Sequence, residues 1–284
     1  MIIVPGLSAR KFSESVSRAS SAEIANISRS RFPDGEMYLR IESPLRGEDI
    51  LVISTSRTEA EIIDLMLLLE ASRGMKPASV TLLLPYFGYA RQHMRYREGE
   101  PISSSVIGNA IFSQVDRGFV VEVHDQGALE PFAEKVINLK VETSIAEFFR
   151  GSKPDYVVSP DDGGEDRVDS LARKLGSKTL IMEKERIDSR NVEIEIPEVN
   201  LNDKSVLLLD DMISTGGTIM KACSILKKKG ASDIRVAAVH GLFINDSYRQ
   251  ISTMTDGLAV TNTLESPYSK IDISGEIYPH IGKW

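Results

Sequence analysis

The chain has 284 residues, of which 42% are hydrophobic and 26% are charged. This length is enough for two domains of ordinary size or one large one, and the composition is typical of a soluble globular protein. The formal net charge of −7 disfavours nucleic acid as the main partner. A phosphorylated substrate remains compatible with this charge, because a local cluster of arginine and lysine with bound Mg²⁺ can offset it.

The sequence also argues against a membrane protein and against a disulfide-bonded one. No apolar run approaches membrane-spanning length, and the first residues lack the basic region of a signal peptide. The single cysteine, Cys223, excludes an internal disulfide and is predicted to be a core residue on the apolar side of a helix. We therefore expect a cytoplasmic protein with no membrane partner.

Short apolar runs alternate with amphipathic segments along the chain, which predicts an α/β fold. The predicted strands are residues 1–5, 37–41, 49–54, 80–84, 118–123, 155–159, 206–209, 234–239 and 258–261. The predicted helices are residues 9–20, 58–72, 102–114, 143–149, 165–175, 219–229 and 247–254. We expect Ser8 to cap the first of these helices, and Thr58 with Glu61 to form a capping box at the second.

The alternation repeats in the second half of the chain, which predicts two domains. The first is expected to close near Lys140, so that an N-terminal domain comprises residues 1–140 and a C-terminal domain comprises residues 141–284.

The most informative stretch runs from Val206 to Ile219. An apolar run typical of a strand buried on both faces is followed by Asp210 and Asp211, then by a turn of hydroxyl residues and glycine, and then by a helix. Such a turn can bind phosphate, because free backbone N–H groups and the positive end of the helix dipole face the same point. The residues of this candidate cradle are Ser214, Thr215, Gly216, Gly217 and Thr218.

The residues of this stretch limit the classes of ligand that it can bind. The turn is not a Walker loop, because no lysine follows the glycines. Asp210 and Asp211 cannot bind phosphate themselves, but they suit the hydroxyls of a sugar whose phosphate lies in the turn. The alternative is an ordinary strand–turn–helix with a polar turn.

Two segments of the N-terminal half have a structural and a functional interpretation. Residues 32–36 read Phe-Pro-Asp-Gly-Glu, and a hairpin turn is the default interpretation of Pro-Asp-Gly. Residues 85–97 place tyrosines and arginines after a buried strand, where they can contact a ligand. The alternative for the second segment is a tyrosine-rich surface loop.

Four further residues are candidates with ordinary alternatives. His124 follows a buried strand, where a histidine is often a hydrogen-bonded structural residue. Asp161 begins an Asp-Asp-Gly-Gly segment after the strand 155–159, which is typical of a metal or phosphate site, although a helix N-cap at Asp162 fits as well. Lys184 and Arg186, taken by themselves, are surface charges paired with neighbouring glutamates.

These segments, in this order, resemble one family. Asp-Asp-Met-Ile-Ser-Thr-Gly-Gly-Thr at 210–218 is similar to the phosphoribosyl-pyrophosphate (PRPP) motif shared by phosphoribosyltransferases and ribose-phosphate pyrophosphokinases, also called PRPP synthetases. Five other segments resemble the synthetases: 32–36, 85–92, 123–124, 159–164 and 184–186. The chain is similar to the shorter, archaeal-type members of the pyrophosphokinase family.

The resemblance implies a fold, a reaction and roles for the candidate residues. The fold would be two similar phosphoribosyltransferase-like domains, each a mainly parallel sheet flanked by helices, with the active site at strand C-terminal ends between them. The reaction would transfer a diphosphoryl group from MgATP to ribose 5-phosphate, giving PRPP and AMP. His124 and Asp161 would hold Mg²⁺, and Lys184 and Arg186 would be catalytic, with Arg186 also contacting ribose 5-phosphate. The residues implied to contact ATP are Phe32, Asp34, Gly35, Glu36, Arg91 and Gln92.

The resemblance also implies a homo-oligomer, because in these relatives the segment matching 32–36 reaches a neighbouring subunit's active site. It assigns no role to Arg95 or Arg97, nor to His93, which stands where many relatives carry aspartate. The alternatives are a phosphoribosyltransferase that uses PRPP as donor and a non-catalytic regulator of a true synthetase. Intact His124, Lys184 and Arg186 count against a regulator.

Overall fold

The computed structural model describes residues 1–186 and 192–282, with the backbone alone described for 183–186 and 192–195. The chain forms two compact units. Unit 1 is Met1–Lys140 with Thr263–Glu265 and the segment from Ser274 onward, and unit 2 is Val141–Asn262 with Ser266–Ile273. The predicted C-terminal domain extends to residue 284, whereas the segment from Ser274 belongs to unit 1.

Unit 1 is a parallel sheet flanked by helices, with an antiparallel hairpin beside it. The sheet has the strand order β2-β1-β5-β6-β7-β8, and the hairpin consists of β3 and β4. The elements are β1 (Ile2–Pro5), α1 (Arg10–Ser20), β2 (Glu23–Ile24), β3 (Ile27–Arg31), β4 (Met37–Ile41), β5 (Asp49–Ile53), α2 (Glu59–Gly74), β6 (Ser79–Leu84), α3 (Ser103–Phe112), β7 (Arg117–Val121) and β8 (Val136–Leu139).

Unit 2 repeats this plan. Its parallel sheet has the order β10-β9-β13-β14-β15-β16, and its hairpin consists of β11 and β12. The elements are α4 (Glu142–Phe149), β9 (Tyr156–Ser159), α5 (Glu165–Leu175), β10 (Lys178–Ile181), β11 (Glu183–Arg186), β12 (Val192–Glu195), β13 (Ser205–Ile213), α6 (Gly217–Lys228), β14 (Asp233–Gly241), α7 (Ser247–Ser252), β15 (Gly257–Thr261) and β16 (Ser269–Ile271).

Each sheet therefore starts with its second strand, continues with its first, and then runs in chain order. Each hairpin is inserted between the second and third sheet strands. The predicted α/β fold with two similar domains is confirmed. In a sheet of this order, ligands bind where the order reverses, at the carboxyl ends of the first and third sheet strands. In unit 2 these are the ends of β9 and β13.

The C-terminal helix α8 (Ser274–Ile281) belongs to unit 1 because it packs against α1. This contact joins segments more than 250 residues apart, so no local pattern announces it. Within residues 1–186 and 192–282, every helix is too short or too polar to cross a bilayer.

The capping box predicted at the start of α2 is confirmed. The Thr58 hydroxyl accepts a hydrogen bond from the Glu61 N–H, and the Glu61 carboxylate accepts one from the Thr58 N–H. The cap predicted at Ser8 is wrong, because α1 begins at Arg10 without a side-chain cap and Ser8 Oγ donates to Glu61 Oε1 at 2.7 Å instead. Cys223 is a core residue as predicted, and burial raises the pKa of its thiol to about 12.

A buried ion pair fastens the hairpin of unit 1 to α2. Asp64, which is fully buried, accepts from Arg29 Nε at 2.6 Å, from Arg29 Nη2 at 3.1 Å and from the Leu7 N–H at 2.9 Å. Arg29 Nη2 also donates to the Pro5 carbonyl at 2.8 Å, so this guanidinium joins β3 both to α2 and to the end of β1.

We expect Asp64→Ala to lower the free energy of unfolding of unit 1 by about 3–5 kcal/mol, because it leaves the Arg29 charge without its buried partner. Urea unfolding followed by circular dichroism measures this loss. The control is Glu70→Ala, which removes an exposed carboxylate from the same helix and should change stability by no more than about 0.5 kcal/mol. Equal effects of the two variants would contradict the prediction.

Candidate active site

The cradle predicted at 214–218 lies at the carboxyl end of β13, the third strand of its sheet. β13 continues through Asp210 and Asp211 to Ile213, so the predicted end at Leu209 is four residues too early. The strand continues because β14 pairs with it as far as Ile213, opposite Gly241. The turn then passes through Ser214 and Thr215, and α6 begins at Gly217.

Gly216 is the residue that allows this turn. It is the N-cap of α6 with φ +78°, a left-handed conformation that glycine adopts without strain. A Cβ at this position would also lie 3.0 Å from Ile251 Cδ1 and 3.0 Å from Ser247 Cβ, so helix α7 packs directly against the turn. By contrast, a Cβ at Gly217 would meet nothing within 4 Å.

Three carboxylates gather beside the cradle. Asp211 is buried and Asp210 half-buried on β13, and the Asp210 carboxylate accepts from the Asp211 N–H at 2.8 Å. Asp161 follows the neighbouring strand β9. Burial, and then the charges of Asp211 and Asp161, raise the pKa of Asp210 well above its ordinary value. The site therefore concentrates negative charge at the point where the strand order reverses, and a cation or sugar hydroxyls bound there would relieve it.

Asp161 is placed by backbone contacts at the end of β9. Ser159 Oγ donates to the Asp161 carbonyl at 2.6 Å, and a short 3₁₀ turn, Asp162–Gly164, follows. The alternative of an N-cap at Asp162 is wrong, because α5 has Gly164 at its N-cap and no side-chain cap.

The corresponding corner of unit 1 is arranged differently. The loop 54–58 follows β5, the third strand of that sheet, and leads into α2 as the cradle leads into α6. There the carboxylate of Glu61 accepts from Thr55 Oγ1 at 2.8 Å, from the Arg57 N–H at 2.8 Å and from the Thr58 N–H at 3.3 Å. The donors of this corner are therefore bound by a carboxylate of the chain itself.

In unit 1, Arg91 and Gln92 lie in the loop after β6. Gly88 lets this loop approach its neighbour, because a Cβ there would lie 2.1 Å from the Ser56 carbonyl oxygen. The Gln92 Oε1 atom accepts from Ser103 Oγ at 2.5 Å, which ties the loop to the start of α3, and Arg91 is exposed. The loop is therefore fixed at its base.

Residues 32–36 form the tip of the β3–β4 hairpin, so the predicted hairpin turn is confirmed. Gly35 has φ +95°, and Asp34 Oδ1 accepts from the Glu36 N–H at 3.2 Å, which is a typical local turn contact. Phe32 is 50% exposed, and its ring meets Tyr38 edge-on at 5.8 Å. An exposed phenyl ring beside two carboxylates is suited to contact with a ligand.

His124 follows a strained residue at the end of β7. Glu122 has φ +43°, is fully buried, and has its carboxylate 3.1 Å from Lys140 Nζ. His124 is exposed. Next to it, Asp125 lies 3.6 Å from His93 Nε2, so His93 links the loop after β6 to the His124 segment. The resemblance assigns no role to His93, and no local pattern in the sequence predicts its contact with Asp125.

The remaining candidates are distributed over both units. His124 belongs to unit 1 and Asp161 to unit 2. Lys184 and Arg186 lie on β11, which pairs with β12, and their side chains lie outside the described residues. Among the described residues, no group of three or more histidine, cysteine, aspartate or glutamate side chains forms a metal site.

Comparison with known proteins matches both halves of the chain to described domain families. Residues 1–114 match the family model for the N-terminal domain of ribose phosphate pyrophosphokinase, and residues 132–256 match the phosphoribosyl transferase domain. The ribose-phosphate pyrophosphokinase of Thermoplasma acidophilum is 47% identical over 243 residues, covering 86% of this chain and 85% of that protein. The corresponding protein of Thermoplasma volcanium is 43% identical over 251 residues, covering 88% of each chain.

The fold has a match among solved structures. The phosphoribosylpyrophosphate synthetase of Mycobacterium smegmatis superposes with a TM-score of 0.86 and covers 99% of this chain and 97% of that chain, at 23% identity. At this identity the match supports the two-domain fold alone. The expected likeness to archaeal members is confirmed by the two Thermoplasma relatives. The two family models and the identity over most of its length establish that the chain belongs to the ribose-phosphate pyrophosphokinase family.

Proposed function

We propose that this chain makes PRPP by the family's reaction, in which the 1-hydroxyl of ribose 5-phosphate attacks the β-phosphorus of MgATP and AMP leaves. The observation that carries the proposal is the 47% identity to a ribose-phosphate pyrophosphokinase over 86% of the chain. The match of residues 1–114 to the pyrophosphokinase N-terminal domain favours it over a phosphoribosyltransferase, which shares the cradle motif.

Ribose 5-phosphate binds in unit 2. The turn Ser214–Thr218 holds the 5-phosphate with backbone N–H groups at the N-terminus of α6 and with its hydroxyls. Asp210 and Asp211 accept hydrogen bonds from the ribose hydroxyls, which are neutral donors and can approach a carboxylate cluster. The crowding of Gly216 by Ile251 and Ser247 supports this assignment, because it fixes the turn before the ligand arrives.

ATP binds through Arg91 and Gln92 and through the hairpin tip, with Phe32 on the adenine ring and Asp34, Gly35 and Glu36 around its edge. The tip is exposed throughout residues 32–36, which suits contact with a second copy of the chain. In our proposal the protein is a homo-oligomer, in which the hairpin of one copy completes the ATP site of its neighbour.

His124 and Asp161 are the residues that would hold Mg²⁺ when MgATP is bound. Imidazole nitrogen and carboxylate oxygen are both suitable ligands, and the charge concentrated around Asp161 and Asp210 fits a divalent cation. When bound, the ion would neutralise phosphate charge. Lys184 and Arg186 stabilise the charge that builds on the transferring group, and Arg186 also contacts ribose 5-phosphate. Positioning and charge neutralisation account for most of the catalysis in reactions of this kind.

Phosphorus NMR of the purified protein with ribose 5-phosphate, MgATP and inorganic phosphate tests the proposal. We expect PRPP and AMP to appear in equal amounts. Formation of ADP in place of AMP would show that a single phosphoryl group is transferred. Release of pyrophosphate from PRPP in the presence of a nucleobase, without ATP, would identify a phosphoribosyltransferase.

A further inference from the structure

The backbone at the start of the cradle is bound to the segment that follows β14. The carbonyl of Ile213 accepts from the Leu242 N–H at 2.9 Å and from the Phe243 N–H at 3.1 Å. The carbonyl of Ser214 accepts from the Ile244 N–H at 3.0 Å and from Ser247 Oγ at 3.0 Å. Two successive carbonyl groups are thus each held by two donors.

These contacts also orient the N–H groups of the cradle. A peptide unit is planar and trans, so its C=O and N–H bonds point in opposite directions. With the Ser214 carbonyl directed at Ile244 and Ser247, the Thr215 N–H faces away from them. The Ser214 N–H is directed in the same way by the Ile213 carbonyl. By holding the Ser214 carbonyl, Ser247 therefore orients the peptide unit that carries the Thr215 N–H of the cradle.

The segment that supplies these donors is itself tightly fixed. Three residues of this segment have positive φ: Phe243 (+48°), Asn245 (+56°) and Asp246 (+59°). Residues other than glycine keep this backbone conformation where the surrounding structure imposes it. The Phe243 ring packs on Tyr248 at 5.2 Å and on Tyr268 at 5.5 Å. The rings of Tyr248 and Tyr268 are stacked at 3.5 Å with an angle of 14° between them.

Ser247 is well suited to this task. It is fully buried, so its hydroxyl does not exchange its partner for bulk water, and it is the first residue of α7. Its Cβ lies 3.0 Å from the place that a Gly216 Cβ would take, so Ser247 packs closely against the turn. A small side chain with one donor satisfies both conditions.

We propose that Ser247 is a positioning residue for the 5-phosphate of ribose 5-phosphate. It acts through the Ser214 carbonyl and does not contact the phosphate itself. This inference rests on the proposed function, since it requires that the turn 214–218 holds that phosphate. Removing the hydroxyl leaves the Ser214 carbonyl with the Ile244 N–H alone and loosens the orientation of the Thr215 N–H. The phosphate is remote from the reacting atoms, so this loss weakens binding and leaves the chemical step nearly unchanged.

The test compares Ser247→Ala with Ser252→Ala, which removes an exposed hydroxyl from the same short helix. For Ser247→Ala we expect the Kd of ribose 5-phosphate, measured by calorimetry, and its KM to rise about fivefold to tenfold, with kcat and the KM of ATP within about twofold. Ser252→Ala should match the wild type in all four quantities. Unchanged ribose 5-phosphate affinity in Ser247→Ala, or an equal rise in both substrates' KM values, would overturn the inference.

A third variant separates this inference from the proposed function. Gly216→Ala disturbs the cradle directly. Weaker ribose 5-phosphate binding in Gly216→Ala but not in Ser247→Ala would overturn the role of Ser247 and leave the cradle assignment intact. Wild-type affinity in Gly216→Ala would overturn the cradle assignment and, with it, the role of Ser247.

Discussion

Replacing Gly216 with alanine is expected to lower kcat/KM for ribose 5-phosphate about 100-fold. The alanine would have to adopt φ +78°. Its Cβ would lie 3.0 Å from both Ile251 Cδ1 and Ser247 Cβ. Left-handed backbone costs a non-glycine residue about 1–2 kcal/mol, so the turn escapes the strain by moving. A displacement of about 1 Å in a positioning group is enough for an effect of this size. Steady-state kinetics measures the loss.

The control for this variant is Gly176→Ala. Gly176 has φ +72° at the end of α5, and a Cβ there would meet nothing within 4 Å. The Gly176→Ala variant imposes the same backbone strain in the same unit without crowding the cradle. We expect it to lose stability by about 1 kcal/mol and to keep its kinetics. Comparable losses of activity in both variants would mean that general destabilisation, and not the cradle, explains Gly216→Ala.

Replacing Lys184 with alanine is expected to lower kcat about 100-fold to 1,000-fold. The reaction builds negative charge on the transferring group, and a cation placed there stabilises the transition state more than the bound substrates. The KM values should therefore change much less than kcat. Single-turnover kinetics with saturating ribose 5-phosphate and MgATP measures the chemical step.

Lys228→Ala is the matched control for Lys184. Lys228 is exposed in the last turn of α6, and its removal changes the net charge of the protein by the same amount. It should keep wild-type turnover. If Lys184→Ala kept wild-type turnover with an unchanged circular dichroism spectrum, Lys184 would have no part in the reaction.

The fold could be predicted wherever a pattern is local. The apolar run 206–209, the polar turn after it and the lysines at 227–229 indicate a strand, a turn and the end of a helix, and the structure has all three. The capping box of α2 was also evident, because Thr58 and Glu61 are three residues apart. Such signals depend on residues that are close together in the chain, so they can be recognised in a single sequence.

The errors have a common physical origin in contacts between distant segments. Ser8 looked like a helix cap, but its hydroxyl donates to Glu61, 53 residues away. The strand β13 extends past Leu209 because β14 pairs with it. Ser247 is 33 residues from the carbonyl that it holds. The roles of Lys184 and Arg186 depend on the family resemblance, and their mutants remain the test.

The carboxylate of Glu61 gives the two units different capacities despite their common plan. In unit 2 the loop after the third sheet strand presents its donors to a ligand in our proposal, whereas in unit 1 Glu61 has already taken the donors of the loop 54–58. A phosphate entering that loop would meet a negative charge and bound N–H groups. The two similar units are thus not interchangeable: in our proposal each chain has one site for ribose 5-phosphate, in unit 2, and unit 1 contributes residues that bind ATP.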